Sequence, residues 1–281
     1  MSAAAALKSS PMKQKWGNSG HRAKRSFGQN FLVDESVVRS IVASLSLRPG
    51  ESIVEIGPGR GALTAELLET GADVTAIEID RDLHPLLLEN FGSRSNFKLI
   101  ADDILQVDLN ELLSNIDASG SVKIIGNLPY NISTPILERV SKARHNFSRA
   151  VFMFQREVVE RITARPGESE RGYFSVVIEA AFESVALFDV PPEAFSPRPK
   201  VWSSIVRLTP KPASTADEPR FRRLISMAFA QKRKTLHNNL KSVMPDADSA
   251  LETVGIDPGR RAETLTLAEW VELYQVVEKK S

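Results

Sequence analysis

The chain has 281 residues, no cysteine and a formal net charge of +1. That length exceeds one average domain and leaves ample chain for a buried core, while the lack of cysteine excludes disulfides, thiolate metal ligation and a thiol nucleophile and favours a reducing compartment. No apolar run approaches the roughly 20 residues that span a bilayer, and "AAAAL" (3–7) is too short for a signal-peptide core, so a soluble, unsecreted protein is expected.

The small net charge hides segregation along the chain. The first 25 residues form a basic tail, with Lys8, Lys13, Lys15, Arg22, Lys24 and Arg25 and no acidic residue before Asp34. Its serine-containing, acid-free composition also fits an organellar transit peptide. Asp34 is placed to cap a helix whose Val37, Val38, Ile41, Val42 and Leu45 lie on one stripe. Five short runs follow: "SIVEI" (52–56), "VTAIEI" (74–79), "FKLI" (97–100), "VKII" (122–125) and "AVFMF" (150–154). Rich in β-branched and aromatic residues, they read as strands separated by helices. Ser133 is predicted to cap the helix after the fourth strand, with Pro135 in its first turn. "SVALFDV" (184–190) and "VWSSIVRL" (201–208) read as a hairpin closing the sheet. Beyond the linker-like "TPKPASTADEP" (209–219) the pattern is helical, including a capping box from Thr266 to Glu269.

This alternation predicts an α/β fold whose mainly parallel sheet is covered on both faces. Ligands of such sheets bind outside the carboxyl ends of the strands. The first candidate there is "EIGPGRGA" (55–62), whose glycines allow a sharp turn and close approach to a ligand. It satisfies G-x-G-x-x-A, and Glu78 lies about 20 residues on, so a dinucleotide fits the spacing. A nucleoside cofactor such as S-adenosylmethionine fits equally well. Asp103 in "ADDIL" follows the third strand, where its carboxylate can accept from an adenine amine or simply begin a turn.

"GNLPYN" (126–131) ends the fourth strand at the same crevice. For an adenine amine as substrate, the Asn127 side-chain oxygen and the Leu128 carbonyl would accept its two N–H groups. Pro129 would stiffen the loop, and Tyr130 would offer a flat face for stacking. The structural alternative is a rigid turn with a core tyrosine.

"NLPY", together with "EIGPGRGALT", "EID" (78–80) and "FGQNFL" (27–32), resembles the ribosomal RNA adenine dimethyltransferases across about residues 22–278. "PPEAFSPRPKVWSSIVRL", "AFAQKRKTLHNNL" and "GIDPGRRAETLTLAEW" are similar to the bacterial small-subunit branch of that family. The resemblance implies a class I, Rossmann-like, seven-stranded methyltransferase sheet over 26–209 and a small all-α, RNA-binding C-terminal domain over 210–281. It implies S-adenosylmethionine as methyl donor and no metal. Asn30 and Leu32 would close over the cofactor, Gly57 would meet its amino-acid end, Glu78 its ribose and Asp103 its adenine. Asn127 would lie between donor and acceptor, and Phe195 would sandwich the target base with Tyr130. Read alone, Phe195 is a core residue.

The implied reaction dimethylates N6 of two adjacent adenosines near the 3′ end of small-subunit ribosomal RNA, within the assembling subunit. A cytoplasmic monomer is expected, or an organellar protein if the tail is a transit peptide. A large-subunit resistance methyltransferase, a nicotinamide oxidoreductase, and a ribosome-assembly or transcription factor that binds RNA or DNA and has lost its chemistry are the rival readings.

Overall fold

The computed structural model describes residues 23–24, 28–129, 132–212, 218–241 and 244–280. The tail over 1–22, with Arg25, Phe27 and Tyr130, lies outside the described residues.

Helix α1 (Glu35–Ser44) starts where expected, because Asp34 Oδ1 accepts from the backbone N–H groups of Ser36 (2.8 Å) and Val37 (3.2 Å). The main sheet then alternates with helices: β2 (Ser52–Ile56), α2 (Ala62–Glu69), β3 (Asp73–Ile77), α3 (His84–Phe91), β4 (Phe97–Ile100), α4 (Leu109–Ile116), β5 (Lys123–Asn127), α5 (Ser133–Lys142) and β6 (Arg149–Gln155). Helices α6 (Arg156–Thr163) and α7 (Tyr173–Ala181) lead into β7 (Phe182–Val190), which pairs antiparallel with β9 (Ser203–Pro210). The sheet has seven strands in the order β4-β3-β2-β5-β6-β9-β7. The hairpin therefore forms, with its later strand inserted between β6 and β7.

Successive strand residues face opposite layers, as the two-residue period of a strand requires. Ile53, Val74, Ile125, Val151 and Met153 join α1, α2 and α3 in one core. Val54, Ile77, Ile124, Ala150 and Phe152 join the α4, α5, α6 and α7 layer in the other. This second core runs on into the C-terminal helices α8 (Pro219–Ala228), α9 (Leu236–Leu240), α10 (Ala247–Thr253) and α11 (Leu267–Lys280), through Phe221, Leu224, Leu251 and Trp270. Arg171, fully buried, stitches the junction: it donates to the carbonyls of Ala164 (2.8 Å) and Leu265 (3.2 Å) and pairs with Glu179 (2.6 Å). The capping box holds as expected, with Thr266 N–H donating to Glu269 (2.7 Å) and Glu269 N–H returning to Thr266 Oγ1 (3.2 Å).

Three local expectations change. Ser133 is the first helical residue of α5 rather than its cap, which is Ile132. The expected linker begins as sheet, since β9 runs to Pro210 and Lys211 N–H donates to the Ala181 carbonyl (2.9 Å); residues 213–217 lie outside the described residues. A two-residue strand β1 (Phe31–Leu32) pairs with another, β8 (Phe195–Ser196), matching Leu32 with Phe195. Two residues are too few for any period to show. Among the described residues, no helix is long and apolar enough to cross a membrane.

Candidate active site

The carboxyl ends of β2, β3, β4 and β5 open into one cavity, roofed by the 28–32 segment. Strand β5 continues two residues past "VKII", so Gly126 and Asn127 are its last residues. At Gly126 a Cβ would lie 3.0 Å from the Ile56 carbonyl and 2.9 Å from the Leu128 side chain. Only glycine lets β5 approach β2 that closely, and the approach carries Asn127 to the rim beside Gly57. Gly59 has φ +58°, and a Cβ there would stand 3.1 Å from the Phe31 ring. The glycine loop thus serves close packing beneath the roof as well as the turn. Arg60 lies over the other part of this contact, its guanidinium 4.4 Å from the Phe31 ring centre.

Glu78, 5% exposed at the end of β3, takes one backbone N–H on each oxygen: Gly59 at 3.0 Å and Asp80 at 2.8 Å. Burial pushes its carboxyl above the ordinary value, and those two N–H groups partly offset the rise. Each oxygen keeps a second lone pair for a ligand. Beneath the loop, fully buried Glu55 is pushed up to about 8, by burial first and by the charge of Glu78, against the Thr64 hydroxyl that donates to it at 2.6 Å. At the end of β4, Asp103 does begin a turn, with Oδ1 accepting from Leu105 N–H (2.8 Å). Its other oxygen takes no part in that bond, so the turn and ligand readings coexist. Asn127 Nδ2 donates to the Asn30 carbonyl (3.2 Å), which turns the amide oxygen away from the roof.

Of the residues expected at the site, Asn30, Leu32, Gly57, Glu78, Asp103, Asn127, Leu128 and Pro129 all line the cavity. Phe195 does not. It is 5% exposed and packed in the α1, α2 and α3 core beside Leu32, its β-partner. Tyr130, the other half of the expected sandwich, lies outside the described residues. The lining also includes Gln29, Phe31, Arg60, Ile79, Ile104 and Leu105, which sequence reasoning missed. Ile79 carried a usable signal: it sits in "EID" and remains 45% exposed at the cavity, an unsatisfied apolar surface next to a buried carboxylate.

A family model described as ribosomal RNA adenine dimethylase matches residues 20–279. Ribosomal RNA small subunit methyltransferase A of Saccharophagus degradans is 43% identical over 257 residues, 90% of this chain and 94% of its own length. The protein of the same name from Hahella chejuensis is 43% identical over 263 residues, 92% of this chain and 94% of its own. Among solved structures, a dimethyladenosine transferase from Plasmodium falciparum superimposes with a TM-score of 0.78 at 24% identity, over 89% of this chain and 98% of that one. The 23S rRNA methyltransferase ErmE gives 0.69 at 25% identity, over 89% and 100%. With the family model spanning nearly the whole chain and relatives this similar over nine-tenths of it, the protein belongs to the ribosomal RNA adenine dimethylases, a family of methyltransferases.

Proposed function

We propose that this enzyme methylates N6 of two adjacent adenosines near the 3′ end of small-subunit ribosomal RNA, within the assembling subunit, using S-adenosylmethionine. The observation that carries the reading is the convergence of Glu78, Asp103 and Asn127 from three strand ends on one cavity. The cavity suits the cofactor chemically. Glu78 can accept from ribose hydroxyls, the remaining oxygen of Asp103 from the adenine amine, and Ile79, Ile104 and Leu105 offer apolar surface to the base. Bound there, S-adenosylmethionine would supply a methyl group activated by its sulfonium.

The chain's own part is positioning. The amino nitrogen of adenine is a poor nucleophile because its lone pair is delocalised into the ring. Asn127 Oδ1 and the Leu128 carbonyl would accept its two N–H groups and favour a tetrahedral nitrogen with an available lone pair. The bond from Asn127 Nδ2 to Asn30 supports this, since it commits the amide nitrogen to the roof and presents the oxygen to the substrate. Each transfer removes one N–H proton, which needs no dedicated base because alkylation acidifies the nitrogen. After two transfers neither N–H remains, so the reaction stops at the dimethylated product. Tyr130, with Phe195 if that ring leaves its packed position, would stack on a base taken out of its loop.

The relatives' name supports the small subunit as substrate. The C-terminal region, 210–281, is assigned to RNA binding, and the enzyme to the cytoplasm as a monomer. Mass spectrometry of small- and large-subunit RNA from cells with and without this protein tests the reading. Loss of N6,N6-dimethyladenosine from the small subunit is expected. Loss from large-subunit RNA alone would overturn it in favour of a resistance enzyme.

A further inference from the structure

One buried carboxylate just beyond the cavity lining has no part in the reaction described above. Asp80 is 1% exposed and stands two residues beyond Glu78. Its Oδ1 meets Lys24 Nζ at 2.5 Å and its Oδ2 meets Gln29 Nε2 at 2.8 Å. Lys24 also pairs with Asp82 at 2.6 Å, and its backbone N–H donates to Gln29 Oε1 at 2.8 Å. Gln29 is therefore held at both ends of its amide. The residue after it, Asn30, accepts from Asn127, while the Asp80 N–H donates to Glu78. A continuous run of polar contacts thus joins the carboxylate assigned to ribose, Asp80, the roof segment and the amide assigned to the substrate.

A buried charge is tolerated only when it is paired and hydrogen-bonded. Burial alone would push Asp80 up, yet the Lys24 and Gln29 donors, with the Asp82 N–H, outweigh it and hold the carboxyl below its ordinary value. The buried carboxylate relies on these two donors together with the Asp82 N–H (3.1 Å), and Lys24 and Gln29 both belong to the segment that precedes or forms the roof. Among the described residues the roof is also anchored by the short β1–β8 pairing, the Val33 N–H to the Ala194 carbonyl (2.8 Å), the Phe31 ring against Gly59 and Arg60, Leu32 in the α1, α2 and α3 core, and the Asn127 bond itself.

We propose that Asp80 is a positioning residue, clamped by Lys24 and Gln29, that docks the roof over the cavity and through Asn30 sets the orientation of the Asn127 amide. The inference rests on the proposed function. It separates two quantities that a mere structural brace would not touch. Docking governs retention of S-adenosylmethionine, and amide orientation governs turnover at saturation.

The test compares Lys24→Ala, Gln29→Ala and Lys24→Arg with the unmodified enzyme by calorimetry with S-adenosylmethionine, by kcat on undermethylated small subunits, and by melting temperature. Lys24→Ala and Gln29→Ala should each melt at a lower temperature, because buried Asp80 loses a partner, and, measured where both variants are fully folded, should bind the cofactor about 5–10-fold more weakly and lose about 5–10-fold in kcat. Lys24→Arg should recover both to within twofold. The double alanine variant should be no worse than the weaker single variant by more than about twofold, because the two donors serve one docked state. Affinity and kcat unchanged within twofold in both single alanine variants would overturn the positioning role alone. Failure of the unmodified enzyme to bind S-adenosylmethionine would overturn this role and the proposed function together.

Discussion

The cavity at the strand ends and the C-terminal helical region handle charge in opposite ways. At the cavity and just behind it, Glu78 and Asp80 are nearly wholly buried and are held by backbone N–H groups and by Lys24 and Gln29. In the C-terminal region the cations are dispersed. Arg220 pairs with Glu278 (3.0 Å) and Arg260 with Glu269 (2.5 Å). Lys232, Arg233 and Lys234 are exposed on the turn between α8 and α9, where Lys232 Nζ reaches the Ser169 carbonyl. That turn is braced by Asn239, whose amide donates to the Ala228 carbonyl (2.8 Å) and accepts from Gln231 N–H (3.1 Å). Desolvated groups at fixed distances can select one small molecule. An exposed cationic turn suits phosphates, which position RNA without reading its sequence.

The comparison breaks most sharply at Asn127. Asn127→Ala should leave melting temperature and RNA affinity unchanged while methyl transfer falls by about 10²–10³, the usual loss for a preorganised polar contact at a reacting centre; activity within threefold would remove Asn127 from the chemistry. Next comes Glu78→Ala, which should weaken S-adenosylmethionine binding by about 1.5–3 kcal/mol in calorimetry, the scale of a charged hydrogen bond. Specific, tight binding of NAD instead would return the site to the dinucleotide reading.

Glu55 sharpens the contrast in another way, since its burial under the glycine loop affects stability rather than binding. Its folded pKa, about 8, stands above the ordinary glutamate value of 4.5. Between those values the folded state holds a proton that the unfolded state has released, so stability is full at low pH and declines as pH rises through the window. The slope is at most about 1.4 kcal/mol per pH unit. Chemical denaturation of the cofactor-free protein from pH 5 to 8 should show the decline, and Glu55→Gln should flatten it. The smallest effect is expected at the basic turn. Neutralising Lys232, Arg233 and Lys234 together should reduce the slope of log affinity for RNA against log salt by about 2 and leave cofactor binding untouched. An unchanged slope would make the turn a solvated face.

The sheet was legible because its strands announce themselves. "SIVEI" and "FKLI" coincide with β2 and β4 to the residue, and the other three runs shift by one or two residues. The strand-end site was legible for the same reason: parallel strands bring their carboxyl ends to one edge, so Glu55 to Gly61, Glu78, Asp103 and Asn127 could be placed together from spacing alone. The α5 cap was misplaced by one residue, since a serine beside a proline signals a helix start without saying which residue is the first helical one.

By itself, then, the sequence determined the alternation of elements, the hairpin, the cavity's three strand-end acceptors and the family. Each of these depends on local propensity, a two-residue period or a motif of contiguous residues. Only the tertiary structure decided the pairing of Leu32 with Phe195, which packs the expected base-stacking ring into a core. The clamp of Lys24 and Gln29 on Asp80, and the turn of the Asn127 amide toward Asn30, also came from the tertiary structure alone. These contacts join residues separated by 51 to 163 positions. No period or propensity encodes such a contact, because it exists only once the sheet has brought distant strand ends and the preceding segment within hydrogen-bonding reach.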